Sequence, residues 1–521
     1  MKLALMTDTK KALLFISDYT GQGNDQMFLW SEGMLTTASA DQLVQEPVEL
    51  VCHDYWLIAP SIYRKVNKLP DFITDIEELR IASSGRKEAR KTRDRSEIYK
   101  SLSGYVDSKI LSDYTKMFNR QIPVDRNTLS LVGQGLLLYA ANIVADAKKA
   151  DEWNRYIQIE RSVSDYLIRS AVDGIAIDAV ALRGHKAAID FDYYMALKDF
   201  SAVHSMPLEP PSDYDIVTHL ESKGYDFDGV SVEYVLHFVP MTDNFAKDVL
   251  RLRKLHATRK VLSAIPLSQA RIFPIVDSFG SITSRIYFKD PSLQNLAKRH
   301  RNILKPDPGT VFSYVDYDQY EAGIMGALSK DRLLLELYAN GDLYEGAAEQ
   351  IFRKRESRKE AKRLFLSFAY GMKRKHLIAA AVEYGAQPED AKKFFAQFSD
   401  LENWKKKIWD EFKSSGKIGT SLGNYVCREG SGELSDKERR SSVSQVVQGT
   451  ASLIFKKMLL ELSKLDSVKL KVPMHDAVLI QHPASFDPKI VIKLFIRVMT
   501  EHFQGSITGK ASLANFVAEV T

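Results

Sequence analysis

Apolar positions along the chain fall into short continuous runs and long stretches of helical spacing, and the two kinds are grouped in blocks. In residues 1–150, Ala12 to Ser17 and Val48 to Cys52 read as buried strands, while Ile76 to Ala82 and Leu129 to Ala147 read as helices. Residues 151–270 are mostly helical. Val163 to Ala171 predicts a helix that Gly174 ends, Asp178 caps the next one, and Pro207 to Asp215 is a loop. Strands return at Ile272 to Val276. Residues 333–430 are helical again until the stretch 416–424, GKIGTSLGN, interrupts them. Ser444 to Ser463 is a further helix, and strands close the chain after Gly505.

Three stretches carry candidate chemistry. In Val311 to Gly323, VFSYVDYDQYEAG, an apolar strand ends in Asp316, followed by Asp318, Gln319 and Glu321. A rigid strand can hold carboxylates for a metal, although strands also end in Asp merely to begin a turn. In Lys471 to Gln481, KVPMHDAVLIQ, two apolar runs flank His475-Asp476, as in a hairpin with an Asp at its turn. In Arg358 to Gly371, the residues Arg358, Lys362, Leu366 and Tyr370 recur every four positions, a helical stripe about 18 Å long. Two cations followed by an aliphatic and an aromatic residue suit a triphosphate and its base; the same pattern also describes an amphipathic surface helix with a basic edge.

A length of 521 residues predicts two to four domains, and 45% hydrophobic with 27% charged residues describes an ordinary globular protein. The net charge of +5 neither requires nor excludes nucleic acid, so local clusters matter more. Arg86 to Arg95 carries six basic residues against two acids, and Arg353 to Arg363 seven against two. Arg251 to Lys260 has five cations and no acid, among them Arg253, Lys254 and Lys260. Two cysteines, Cys52 and Cys427, are too few for a disulfide framework or a zinc site. With no run of 18 apolar residues and no signal-like segment, a cytoplasmic protein without membrane partners is expected.

In this order the three stretches resemble motifs A, B and C of the family A DNA polymerases. Asp316 to Glu321 matches Asp-Tyr-Ser-Gln-Ile-Glu. Arg358, Lys362, Tyr370 and Gly371 match Arg-x3-Lys-x3-Phe-x3-Tyr-Gly, with Leu366 in place of the aromatic residue. His475-Asp476 matches His-Asp-Glu, with Ala477 in place of the Glu. Thr283-Ser284-Arg285 is similar to the family's Thr-Gly-Arg, and Asp290 to Asn295 to its Asp-Pro-Asn-Leu-Gln-Asn. Arg440 and Gln448-Gly449-Thr450 are similar to the helix that precedes motif C. Gly323 and Asn424 stand where the family often has Arg, and Tyr344 where it often has His.

The resemblance implies an α+β multidomain right-hand polymerase with an antiparallel palm sheet and helical fingers and thumb. Its divisions would be an exonuclease-like α/β domain of RNase H type at 1–150, connector and thumb at 151–270, palm at 271–332, fingers at 333–430 and palm again at 431–521. It implies DNA synthesis on primer–template DNA with dNTPs and two Mg²⁺ ions, Mn²⁺ being able to substitute, as in divergent phage or plasmid replicases. Asp316, Asp476 and the Tyr317 carbonyl would hold the metals, with Lys362 joining the two aspartates in catalysis. Arg358, Lys362, Leu366, Tyr370, Gln319, Glu321 and Tyr344 would line the dNTP site, Glu321 blocking a 2'-hydroxyl. Arg285, Gln294, Asn295, Arg440, Gln448 and His475 would meet primer–template DNA, as would Arg253, Lys254 and Lys260 on the thumb. A single-subunit RNA polymerase is the rival enzyme, favoured by Leu366 and opposed by Glu321. A non-catalytic primer–template clamp is the rival binding protein, opposed by the presence of both aspartates.

The N-terminal block lacks the carboxylates of a proofreading nuclease. Its first strand leads to Asp18-Tyr19-Thr20 with no Asp-x-Glu pair. Leu57 and Ile143 occupy the aligned Asp positions, and Asp75-Ile76-Glu77 comes too late in the chain. A nuclease-like fold without nuclease activity is expected.

Overall fold

The computed structural model describes residues 10–18, 24–86, 98–225, 232–238 and 243–518, the side chains of Tyr234, His237 and Phe238 excepted. Tyr19, Thr20 and the basic run after Arg86 lie outside the described residues.

Five strands open the chain: β1 (Lys10–Ile16), β2 (Gln26–Ser31), β3 (Met34–Ala38), β4 (Glu49–Cys52) and β5 (Ile73–Asp75). They form a mixed sheet in the order β3-β2-β1-β4-β5, antiparallel from β3 to β1 and parallel from β1 to β5. A central strand covered on both faces must be apolar throughout, which explains the unbroken ALLFI of β1. Leu13 and Phe15 enter one core, and Ala12, Leu14 and Ile16 enter the other. Helix Arg126–Lys149 lies on the second face through Leu129, Val132 and Leu136. Among the described residues it alone is long and apolar enough to cross a membrane, and here it is a core helix.

A helical connector, Trp153 to Asp173, continues through one π-helical turn at Tyr156–Glu160. It ends as predicted at Gly174, whose φ of +63° and whose position against the Phe273 ring and the Ile272 carbonyl leave no room for a Cβ. Asp178 caps helix Ala179–His204 by accepting from the Val180 and Ala181 amides. That helix packs on Asn244–Ser263 around Ile189, Leu197, Phe200, Phe245 and Val249. The loop predicted to reach Asp215 ends earlier, because Ser212 and Asp215 form a capping box that starts helix Asp213–Ser222.

The sheet that matters for function has the order Lys469–Pro473, Ala477–Pro483, Thr310–Tyr317, Ala511–Leu513, and every pairing is antiparallel. The strand predicted at Ile272 to Val276 is not part of it. Pro274 splits that run, leaving Arg271–Ile272 paired with Ile175–Ile177 and Val276–Asp277 paired with Tyr287–Phe288. After Gly505 one described strand, Ala511–Leu513, closes the sheet.

From Arg332 to Ser415 the chain is a succession of helices, then the hairpin Lys417–Thr420 and Gly423–Cys427, then the long helix Asp436–Leu462. Sheet and helices share one core: Val315, Ile324, Phe365, Phe368, Phe398 and Ile454 belong to a single buried cluster. The element bearing the cationic stripe is therefore packed into the same core as the strand bearing Asp316.

Candidate active site

Asp316 is the penultimate residue of its strand and lies directly across from Ala477, so Asp476 is one step off register. The Tyr317 amide donates to the Asp476 carbonyl at 3.1 Å, which locks the hairpin turn to the strand end. Burial pushes the Asp316 carboxyl up to about 7, helped by the charges of Asp476 and Asp318 and offset in part by Lys362 and Lys298. Burial also raises Asp476, with Glu321 adding to the effect and Arg285 opposing it. Asp476 is open to solvent at its surface yet walled by protein on its other sides, as the floor of a cleft must be. The Asp316 Oδ1 is buried with no hydrogen-bond donor.

Such a pair fits a hard divalent cation, which needs oxygen ligands and would satisfy the orphaned atom. No cluster of three or more His, Cys, Asp or Glu with metal-binding geometry exists among the described residues. A cation held by Asp316 and Asp476 therefore completes its shell with backbone, water or substrate oxygens. Tyr317 turns its ring into the core, stacked on Tyr320 at 4.2 Å, and the Tyr320 hydroxyl donates to the Ala451 carbonyl at 2.6 Å. These rings hold the carboxylate-bearing turn rigid.

Helix Arg358–Ala369 carries the stripe, and Tyr370 is its C-cap. Arg358 Cζ and Lys362 Nζ each lie 5.4 Å from the centre of the buried Tyr344 ring. Arg358 also pairs with Asp342 at 2.6 Å. Lys362, Arg363 and Leu366 wall an open pocket of about 440 Å³. Glu321 accepts from Arg285 at 2.7 Å. The buried Tyr370 hydroxyl faces Glu321 and Gln448 but completes a well-formed hydrogen bond with neither. One cleft thus gathers Asp316, Asp476, Lys362, Arg285, Glu321 and Tyr370.

The sequence profile of DNA polymerase family A matches residues 222–512, more than half of the chain and the part that builds this cleft. The chain belongs to that family. The DNA polymerase I of Aquifex aeolicus is 27% identical over 228 residues, 40% of this chain and 38% of the relative. That of Thermus aquaticus is 26% identical over 225 residues, 39% of this chain and 27% of the relative. These matches thus cover well under two thirds of the relatives' own length. Among solved structures, the POL domain of Pol1 from M. smegmatis, in complex with DNA primer-template and dNTP, superimposes with a TM-score of 0.76. That likeness covers 98% of this chain and 95% of the other at 17% identity, and it is one of fold.

The family A departures have local reasons. A Cβ on Gly323 would meet the Tyr338 ring at 2.7 Å and Met499 at 2.9 Å, so no Arg fits there. Ala477 is fully buried in an apolar cluster, where a Glu would be costly. Other proposed contacts are already engaged inside the protein. Gln294 donates to the Ile286 and Pro473 carbonyls at 2.9 and 2.6 Å and accepts from the Phe288 amide at 3.0 Å. Gln319 bridges the Gly341 carbonyl and the Leu343 amide. Arg253 pairs with Glu233 and Asp213.

Asn295, Arg440, Lys254 and Lys260 are exposed. His475 lies 5.5 Å from the Tyr287 ring; one edge is exposed, but the protein walls around the rest of it, with the Arg285 charge, lower it to about 4. Sequence reasoning missed Lys298 and Arg299. They line a basic pocket of about 470 Å³ with Arg251 and Lys254, and Lys298 also acts on Asp316. Their signal was the run Lys298-Arg-His-Arg301.

Proposed function

We propose that this chain is a template-directed DNA polymerase that extends a primer 3'-hydroxyl with dNTPs. The observation that carries the reading is the strand-end pair Asp316 and Asp476, held in a cleft that also contains Lys362, Arg358 and Glu321. Asp316 and Asp476, with the Tyr317 carbonyl, hold two Mg²⁺ ions. Such ions activate the attacking hydroxyl and stabilise the leaving oxygens in phosphoryl transfer. Lys362 and Arg358 bind the triphosphate and offset the charge that gathers on pyrophosphate. Glu321, fixed by Arg285, occupies the space a 2'-hydroxyl would need and so rejects ribonucleotides. Tyr370 sits at the templating pair. Lys254, Lys298 and Arg299 neutralise duplex phosphates, an interaction that weakens steeply with salt.

The N-terminal sheet supports the thumb and does not proofread. A pocket of about 430 Å³ in it is lined by Leu13, Phe15 and Leu57 with Asp54 as its one carboxylate, and Asp54 is bonded to His53 at 2.8 Å. Asp75 is spent as a helix cap, accepting from the Glu77 amide and from Tyr55. Cys52 and Cys427 are both free thiols, in keeping with a cytoplasmic setting.

Primer extension with purified protein, Mg²⁺ and either dNTPs or NTPs tests this function. Template-dependent addition of dNTPs supports it. Preferential addition of NTPs supports an RNA polymerase instead, and binding of primer–template without extension reduces the protein to a clamp.

A further inference from the structure

Glu152, Arg155, Glu160 and Lys456 are each no more than 2% exposed. They form one chain of charges: Arg155 to Glu152 at 2.9 Å, Arg155 to Glu160 at 2.5 Å and Lys456 to Glu160 at 2.6 Å. Burying four charges costs stability even when they pair, so what they hold in place matters. Several further hydrogen bonds from this chain of charges reach backbone in distant segments. Arg155 donates to the Ala82 carbonyl of the N-terminal block at 2.9 Å, and Lys456 donates to the Ser278 carbonyl at 2.9 Å. Glu152 accepts from the Asn424 and Tyr425 amides at 2.9 and 2.8 Å.

Two residues held here, Ser284 and Asn424, have φ of +59° and +57°, a left-handed conformation that side chains other than glycine rarely adopt. Ser284 is tied on three sides. Its hydroxyl receives Arg155 at 3.3 Å and donates to Asn424 Oδ1 at 3.1 Å, and its carbonyl receives the Ser452 hydroxyl at 2.6 Å. The next residue is Arg285, which fixes Glu321 and stands beside His475 and Asp476.

We propose that this buried network is a positioning device for nucleotide selection, with Arg155 and Ser284 as its positioning residues. It holds Ser284 left-handed, and that conformation aims Arg285 at Glu321. Through Ala82 it also joins the N-terminal block to the floor of the cleft, giving a domain without nuclease chemistry a part in synthesis. The inference rests on the polymerase reading.

The test uses full-length protein carrying Ser284→Ala, Ser284→Gly or Arg155→Lys, each with and without Arg285→Ala. Single-turnover rates and apparent nucleotide affinities are measured for a dNTP and its rNTP, with primer–template affinity as control. Ser284→Ala keeps the Cβ but loses the hydroxyl links, and sugar discrimination should fall at least fivefold while primer–template affinity stays within twofold. Ser284→Gly adopts the same φ without those links and should recover most of the discrimination. Arg155→Lys should lose discrimination as Ser284→Ala does. In the Arg285→Ala background Ser284→Ala should add nothing. Wild-type discrimination in Ser284→Ala, or effects of Ser284→Ala and Arg285→Ala that multiply independently, would overturn the proposal, whether or not Arg155→Lys folds. A wild-type protein that extends no primer would instead refute the polymerase function itself.

Discussion

Asp316→Asn should make the metal-free protein more stable while abolishing synthesis. The folded Asp316 carboxyl is raised to about 7 from an ordinary value of 3.8 by burial and by its acidic neighbours. A displacement of that size caps the cost of holding the charge at about 4 kcal/mol. The carboxylate opens on a solvated cleft and shares its repulsion with Asp476, so about 1–2 kcal/mol is the expected gain from an uncharged amide of the same volume. Because the folded carboxyl holds its proton more tightly than the unfolded one, wild-type stability rises as pH falls through about 7. It levels off once the unfolded carboxyl is also protonated, near pH 4. The variant's advantage should therefore be greatest at pH 8 and disappear below about pH 4. Divalent cation reverses the order. If Mg²⁺ at a hundredfold its dissociation constant binds only the wild-type pair, it adds about 2.7 kcal/mol to the wild type alone. Denaturant melts at pH 8 and pH 4, with EDTA or Mg²⁺, measure all of this without catalysis, and primer extension should fall more than a hundredfold. A variant less stable than wild type at pH 8 in EDTA, or one stabilised equally by Mg²⁺, would refute the metal assignment.

Glu321→Ala should raise ribonucleotide relative to deoxyribonucleotide incorporation at least tenfold in single-turnover extension; an unchanged ratio places the gate on another side chain. Lys362→Ala removes a cation from the triphosphate stripe and should lower kcat/KM for dNTP by a hundredfold or more, and an unaltered value would misplace the stripe. Gln294→Ala strands the Phe288 amide and two carbonyls, so urea melts should show a loss of about 2 kcal/mol, while a loss under about 0.5 kcal/mol would mean that water replaces the amide. A mismatched primer labelled near its 3' end, given Mg²⁺ and no dNTPs, should keep its length. Shortening that survives in the Asp316→Asn, Asp476→Asn double variant would reveal a working nuclease.

The sequence disclosed the centre of the cleft because chemistry restricts residue type there. A strand ending in Asp316, a hairpin turned at Asp476 and a four-residue recurrence of Arg358, Lys362, Leu366 and Tyr370 survive as patterns within short windows. What it hid are commitments between residues far apart in the chain. Gln294 looks like a groove contact until its amide is seen spanning Ile286 and Pro473, 179 residues away. Arg253 belongs to a run with no acid of its own, yet Asp213 and Glu233 neutralise it from other helices. The strand expected at Ile272 to Val276 failed for a reason that was legible: Pro274 cannot donate to a ladder.

The departures from the family pattern separate along the same line between cleft and core. Gly323 and Ala477 differ where the side chain would have to enter the packed interior, against Tyr338 and Met499 in one case and an apolar cluster in the other. Their neighbours have adjusted to the missing atoms, so restoring Arg or Glu there would overpack the core or bury an unpaired charge. Leu366 and Tyr344 are different. Leu366 lines the pocket beside Lys362, and the Tyr344 ring lies beneath both cations of the triphosphate stripe. A substitution at half-buried Leu366 changes the surface a nucleotide would meet without forcing the interior to repack, whereas Tyr344, itself part of the buried cluster, acts on that surface from beneath. Any unusual nucleotide preference of this chain should therefore trace first to Leu366, and not to the two departures that its core has absorbed.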